Sequence, residues 1–408
     1  MKCRHCQSEL TMSLIDLATA PPSNAYLTQQ MLHVPEKYFP LRVLVCTDCW
    51  LVQTEDYADA DELFSSDYAY FSSFSKTFLE HAQKYIVDMI QRFELDKESY
   101  IVEVAANDGY LLQYAKATGI PCLGIEPTTS TANAAREKGI EIVEAFFGVA
   151  LAKELVAQGR QADLTAANNV LAHVPDINDF VGGFATLLKP AGVSTFEFPH
   201  LLRMVTENQF DTIYHEHYSY LSLTAVKRIF ERNGLSVFDV ETLTTHGGSL
   251  RVYAQRSDTG LRKASVNVSN LLESEVKAGM TDLEFYADFQ IKADLVKNDF
   301  LAFLIEAKRA GKSVAGYGAA AKGNTLMNYA GVRPDLLPYV VDLNPAKQGK
   351  FMPGSRIPIL APKELRERMP DYVVILPWNI ADEAVKANDF VRAWGGKFVV
   401  AVPTLRVF

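Results

Sequence analysis

The sequence predicts an α/β protein: a small N-terminal metal module followed by two units, each built on a parallel sheet with helices on both faces. Three observations carry this. Four of the five cysteines fall into two Cys-x-x-Cys pairs, Cys3 with Cys6 and Cys46 with Cys49. Strand-like and helix-like runs alternate from about residue 63 to about 256. A long amphipathic helical stretch follows, and the alternation then resumes to the C-terminus. Such alternation implies parallel sheets covered on both faces. The expected units are residues 1–62, 63–256 and 257–408.

Length and composition fit this division. The chain has 408 residues, 48% of them hydrophobic, enough to bury several cores. Its formal net charge is −9, which argues against a dedicated nucleic-acid binder. A phosphate-bearing small molecule would need only a few local cations. Met1-Lys-Cys-Arg-His-Cys6 is not followed by an apolar run and does not resemble a signal peptide. No segment approaches the roughly 18 apolar residues of a membrane span. A soluble protein that stays where it is made is expected.

In a Cys-x-x-Cys knuckle a tight turn aims both sulfurs at one point. Two knuckles supply four sulfurs, the tetrahedral set that suits zinc. A redox dithiol would need one copy, not two, and a pair of disulfides is the other alternative. Four sulfurs fill the coordination sphere, so the zinc at Cys3, Cys6, Cys46 and Cys49 is expected to be structural. Thiolate ligands point to a reducing compartment, the cytoplasm. Cys122 reads as a buried strand residue.

In the middle unit, Tyr100-Ile-Val-Glu-Val104 reads as the first strand, with a helix through about Ala117. Pro121-Cys-Leu-Gly-Ile-Glu126 is the second strand, and a helix over residues 131–138 stops at Gly139. Ala162-Asp-Leu-Thr-Ala-Ala167 and Val193-Ser-Thr-Phe-Glu-Phe198 are later strands. In the last unit the strands are Ser313-Val-Ala-Gly-Tyr-Gly318, Tyr339-Val-Val-Asp342, Tyr372-Val-Val-Ile-Leu376 and, as the final one, Lys397-Phe-Val-Val-Ala-Val402.

Ligands of open parallel sheets bind beyond the carboxyl ends of the strands. Glu103, Ala105, Asn107, Asp108 and Gly109 gather there after the first strand, Glu126 after the second, and Asn168 and Asn169 after the later one. An acid ending the second strand is placed to accept hydrogen bonds from two ribose hydroxyls. That alone would suit NAD equally. The first loop, however, lacks the Gly-x-Gly-x-x-Gly spacing that cradles a pyrophosphate. S-adenosylmethionine carries no pyrophosphate, so it is the expected cofactor.

The last unit holds Gly316-Tyr-Gly-Ala-Ala-Ala-Lys-Gly323 after a strand, with Asp342 ending the next, 24 residues beyond Gly318. This is close to a dinucleotide fingerprint, with Ala321 in the third glycine position. Taken alone it would suggest an NAD-dependent oxidoreductase. Lys347 and Lys350 read as solvated surface.

Four stretches carry a resemblance: Val102-Glu-Val-Ala-Ala-Asn-Asp-Gly-Tyr-Leu111, Leu123-Gly-Ile-Glu-Pro127, Asn168-Asn-Val-Leu-Ala-His-Val-Pro-Asp176 and Tyr214-His-Glu-His-Tyr218. With the cysteine knuckles, they resemble the nucleotide-sugar C-methyltransferases, which methylate a carbon of 4-keto-deoxysugars. The resemblance covers essentially the whole chain. It implies a central Rossmann-like methyltransferase domain and a second Rossmann-like α/β domain at the C-terminus. The family usually carries glycine where this chain has Ala105.

Methylating carbon needs a carbanion. A proton beside a carbonyl is removed by a side-chain base while the enolate oxygen is stabilised. The resemblance implies His217 as that base, with Glu216 tuning it and Tyr214 orienting the sugar. His173 would be a donor to the keto oxygen or an alternate base. Tyr68, in Ser66-Asp-Tyr-Ala-Tyr-Phe-Ser72, matches a family position facing the sugar, with Phe71 and Ser72 beside it. In place of NAD, the resemblance implies that the C-terminal loop, through Lys322 and Asn324, holds a sugar nucleotide. A methyltransferase acting on oxygen or nitrogen would not need the Tyr-His-Glu-His block. A zinc-ribbon binding protein would not need Glu126.

Overall fold

The computed structural model describes residues 1–57 and 71–408. In the N-terminal unit Met12–Ala20 (β1), Phe39–Val45 (β2) and Val52–Thr54 (β3) form an antiparallel sheet. The central unit contributes Ile101–Val104 (β4), Cys122–Ile125 (β5), Ile142–Val143 (β6), Ala162–Asn168 (β7) and Leu188–Pro199 (β8). It continues with Ser219–Tyr220 (β9), Leu235–Leu243 (β10) and Ser249–Arg256 (β11). Seven of these form one sheet in the order β10-β11-β8-β7-β4-β5-β6. Pairing from β8 to β6 is parallel, and β11 runs antiparallel to both β8 and β10. The eighth, β9, leaves the unit and pairs with β3, so the N-terminal sheet is completed from the central unit.

Helices cover this sheet by their apolar stripes. In Leu223–Arg232, Val226, Ile229 and Phe230 recur at helical spacing and are buried. Ser222 caps that helix by accepting the Ala225 N–H at 3.1 Å, which satisfies one of its free amides. Phe230 meets Phe196 of β8 with ring centres 4.6 Å apart, and Phe196 meets Phe184 at 4.8 Å. Each such ring contributes roughly 1.5–3 kcal/mol by leaving water.

The C-terminal sheet comprises Val314–Tyr317 (β12), Val340–Val341 (β13), Ile359–Leu360 (β14), Tyr372–Ile375 (β15), Lys397–Val400 (β16) and Arg406–Val407 (β17). Its order is β14-β13-β12-β15-β16-β17, parallel except for the last. The strand at 397–402 was expected to end the fold, but the chain turns back and adds β17. The helix Val266–Lys277, expected to open the third unit, packs on the central sheet instead. Its Val268 is buried in one cluster with Phe230 and Leu235. Alternation alone could not show the β10–β11 hairpin, because two antiparallel strands need no helix between them. Cys122 is half-buried at the start of β5. Among the described residues no helix is long and apolar enough to cross a membrane.

Candidate active site

The four cysteine sulfurs all lie within 4.8 Å of one another. Cys3 and Cys49 Sγ are 3.5 Å apart, as are Cys6 and Cys46 Sγ. Tetrahedral zinc–sulfur bonds of ~2.3 Å would put sulfurs about 3.8 Å apart, so the set fits zinc. Both knuckles are built alike. Gln7 N–H donates to the Cys3 carbonyl at 3.0 Å and Trp50 N–H to that of Cys46 at 2.9 Å. Gln7 and Trp50 both have left-handed backbones, with φ 69° and 63°. The Gln53 side-chain amide donates to Cys3 Sγ at 3.3 Å, and Gln53 pairs with Ser219 of β9.

At the carboxyl ends of β4 and β5, Glu126 is 5% exposed. Its Oε2 accepts the Asn107 N–H at 3.0 Å, and its Oε1 accepts the Thr128 N–H and the Thr131 hydroxyl, each at 3.0 Å. These donors hold the carboxylate in place between the two loops. Burial raises the Glu126 pKa. Glu103 is wholly buried beside Tyr110 and the Leu112 backbone, and burial holds its carboxyl well above the usual range. Ala105 and Asn107 have left-handed backbones, φ 59° and 49°. At Gly109 (φ 73°) a Cβ would lie 2.4 Å from Ile140 Cδ1, so this turn takes glycine alone. Ser72 N–H donates to Asn107 Oδ1 at 2.9 Å and the Ser73 hydroxyl donates to Asp108 Oδ2, tying that segment to the loop. Phe71 is half-buried at its start; Tyr68 lies outside the described residues.

Beyond β7, Asn168 and Asn169 Oδ1 and, in the β4 loop, Asp108 Oδ1 are buried with no hydrogen-bond partner among the described residues. Three acceptors without donors suit a ligand that brings amino and hydroxyl groups. S-adenosylmethionine does so, and these residues fit it.

The Tyr214–Tyr218 block sits where all three units meet. His217 Nδ1 lies 2.8 Å from the Thr212 carbonyl and its Nε2 lies 2.7 Å from the Tyr214 hydroxyl. The His173 ring meets that of His217 edge-on, with centres 4.6 Å apart. Burial, then His173, holds the His217 pKa well below the usual histidine value, and burial brings His173 to about 4. Thr54 of β3 donates its hydroxyl to the His217 carbonyl at 3.2 Å. From the other side Thr325 donates to the Ile213 carbonyl at 2.7 Å, and Trp378 Nε1 to Asp211 Oδ2 at 2.7 Å. Burial raises Asp211 to about 6.

Glu216, expected to tune His217, turns the other way. Its Oε1 accepts the Asn24 N–H and side-chain amide, both at 3.1 Å. His215 also points away, with Nε2 3.2 Å from the Pro40 carbonyl. Among the described residues the four cysteines are the one group of three or more such side chains placed to hold a metal.

Lys322 donates to Asn379 Oδ1 at 2.9 Å, and its Nζ lies 4.6 Å from the centre of the Trp378 ring. Burial lowers it to about 8, and its charge is felt at His217 and at His246. Asn324 does not face open space. It is wholly buried and donates to the Ser23 carbonyl at 2.6 Å, pinning the N-terminal segment. The dinucleotide-like turn is closed by the chain itself. Asp342 accepts the Ala319 and Asn344 N–H groups, each at 2.7 Å. The Tyr26 hydroxyl and Lys347 Nζ both donate to the Ala319 carbonyl, at 2.5 and 2.8 Å. Lys347 is thus buried at 9% exposure rather than solvated.

Three family models match successive parts of the chain: a zinc binding domain over residues 3–64, a methyltransferase domain over 78–240 and a C-methyltransferase C-terminal domain over 244–403. The chain is 32% identical to C-methyltransferase NovU of Streptomyces niveus over 408 residues, covering 100% of this chain and 96% of that one. The chain belongs to the C-methyltransferase family. It is an S-adenosylmethionine-dependent C-methyltransferase with a zinc-binding N-terminal domain. Solved structures similar to part of it include magnesium protoporphyrin IX methyltransferase (ChlM) from Synechocystis with bound S-adenosylmethionine, 15% identical with a TM-score of 0.36, covering 50% of this chain and 100% of that one. Another is an S-adenosylmethionine-dependent methyltransferase from Clostridium acetobutylicum, 10% identical with a TM-score of 0.36, covering 44% and 92%.

For this C-methyltransferase, sequence reasoning missed several residues around the site. Thr128 and Thr131 follow Glu126 closely and could have been found as an acid with hydroxyl partners. His246 carried a signal in the double glycine after it, in Thr245-His-Gly-Gly248. Asp211, Thr212 and Trp378 carried none, because only folding brings them to His217 and Lys322.

Proposed function

We propose that this C-methyltransferase acts on a nucleotide-linked 4-keto-deoxysugar, removing a proton beside the ketone and methylating that carbon. The Thr212–His217–Tyr214 chain of hydrogen bonds carries the reading. A carbonyl only accepts, so His217 Nδ1 bears the hydrogen and Nε2 keeps its lone pair. The Tyr214 hydroxyl donates to that lone pair and marks where a proton donor belongs. An acidic C–H of the sugar takes that position, and the displaced phenol turns to hydrogen-bond the sugar.

His217 then accepts the proton on Nε2. Burial keeps the ring neutral, so it is ready to accept one, and the Thr212 carbonyl steadies the cation that results. Lys322 supplies the positive charge that holds the negatively charged acceptor at the junction. His173 backs His217 from the side. Bound S-adenosylmethionine supplies an electrophilic methyl group on a sulfonium. Glu126 holds the ribose, the Asn168–Asn169 turn offers its free acceptors to the ligand's donors, and the loop at Ala105, Asn107 and Gly109 comes close to the ligand's backbone-facing side. The C-terminal domain takes part through Lys322, next to Trp378 and Asn379.

The test is direct. The protein, S-adenosylmethionine and a panel of 4-keto sugar nucleotides are incubated, and the products are read by mass and by NMR. A gain of one methyl, on a carbon next to the ketone, is expected. A methyl on oxygen or nitrogen, or no transfer to any member of the panel, overturns the reading.

A further inference from the structure

His246 stands in the turn between β10 and β11, where its backbone is left-handed at φ 55°. For a residue with a Cβ this costs on the order of 1 kcal/mol. The turn is clamped on all sides. A Cβ at Gly247 would lie 2.6 Å from Trp378 Cη2, and one at Gly248 would lie 2.8 Å from Arg203 Cγ. The Gly247 carbonyl accepts from Gln209 Nε2 at 2.9 Å, and the Gly248 carbonyl accepts the His200 N–H at 3.0 Å. The surroundings therefore hold the strain, and its effect is to aim the imidazole.

The ring meets Phe78 edge-on, with centres 5.9 Å apart. Phe78 in turn stacks on Tyr110, the residue after Gly109 of the cofactor loop, at 4.9 Å. On its other side the turn abuts Trp378, whose ring also carries Lys322. His246 thus stands between the cofactor loop and the cation of the C-terminal domain. Its Nε2 is buried with no hydrogen-bond partner among the described residues. Such a group costs about 1–3 kcal/mol unless a ligand satisfies it. The cofactor-binding loops follow β4, β5 and β7, whereas this turn lies at the β10–β11 end of the sheet.

We propose that His246 hydrogen-bonds a hydroxyl of the acceptor sugar and so helps decide which sugar is methylated. The inference rests on the acceptor class given under Proposed function. Burial, then Lys322, brings the His246 pKa to about 4, so the ring is neutral near pH 7. A neutral imidazole matches a hydroxyl, which donates and accepts, better than it matches a phosphate.

Asparagine tolerates a left-handed backbone and glycine adopts it freely, so His246→Asn and His246→Gly remove the ring while keeping the turn. The zinc-loaded protein is assayed with S-adenosylmethionine and 4-keto sugar nucleotides that differ by single hydroxyls. Both variants should lose on the order of tenfold in kcat/KM on the preferred sugar, mainly through KM. Removing one particular hydroxyl should cost the wild type a similar factor and the variants nothing more. S-adenosylmethionine affinity, measured by calorimetry, should stay unchanged. Variants that discriminate among the sugars as the wild type does would overturn the inference. So would weakened S-adenosylmethionine binding with an unchanged KM for the sugar. A wild type that methylates no member of the panel would instead overturn the acceptor class itself, and this inference with it.

Discussion

The Tyr214 hydroxyl lies 2.7 Å from His217 Nε2 while the Thr212 carbonyl lies 2.8 Å from Nδ1, which fixes the tautomer of a neutral ring at the meeting point of three units. Burial and the neighbouring His173 hold its pKa well below the ordinary histidine value. The unprotonated form needed to accept a proton therefore persists as pH falls. Between about pH 7.5 and pH 6, kcat/KM should not decline on the acid side. An acid limb with its midpoint at about 6.5 or above, the ordinary histidine value, would contradict this environment for His217.

Lys322 sets the other side of the pH profile. Burial lowers it to about 8, so it is charged below that pH and neutral above it. The KM for the sugar nucleotide should rise as pH passes about 8. Lys322→Ala should raise that KM at pH 7, remove the alkaline limb and leave S-adenosylmethionine binding alone. Lys322→Arg should move the limb upward, because a guanidinium stays charged. A limb unchanged in Lys322→Ala would assign the titration to another group.

Glu126 joins the two cofactor loops by accepting the Asn107 and Thr128 N–H groups. Glu126→Ala should weaken S-adenosylmethionine by about 1.5–3 kcal/mol in calorimetry, as expected for loss of a charged hydrogen bond. The sugar-nucleotide KM should change much less. Unchanged cofactor affinity would refute the role.

The sequence showed the parallel strands, because alternating apolar runs with turn residues report them locally. The knuckle spacing located the cysteine cluster, and the acid after the second strand located Glu126. Side-chain direction was not legible. Glu216 lies next to His217 in sequence, yet both stand on a tight turn closed by the His217 N–H on the Tyr214 carbonyl, which sends the Glu216 carboxylate to Asn24. Asn324 lies two residues from Lys322, but it points inward to Ser23. The closure of the dinucleotide-like turn depends on Tyr26, nearly 300 residues away in the chain. His246 owes its aim to a clamped hairpin turn: the Gly247-Gly248 pair signals a turn, but Trp378, Arg203 and Gln209, which clamp it, come from distant parts of the chain.

The zinc module and the His217 segment are one structure. Gln53 touches Cys3 Sγ at 3.3 Å and pairs with Ser219, and Thr54 bonds the His217 carbonyl at 3.2 Å. Metal analysis should find about one zinc per chain. Chelation should lower the unfolding temperature and turnover together, and Cys3→Ser should do the same. Purified protein without metal, or chelated protein with unchanged turnover, would break this link.

The central claim is that His217 removes the proton beside the ketone. S-adenosylmethionine is replaced by its demethylated product, S-adenosylhomocysteine, the 4-keto sugar nucleotide is supplied in deuterated water, and exchange at the carbon beside the ketone is followed by NMR. The wild type should exchange that proton, while His217→Ala and His217→Asn should not. Both variants should also lose on the order of 10²–10⁴ in turnover while still binding the cofactor. Variants that retain both exchange and turnover near the wild-type level would contradict the claim and turn attention to His173.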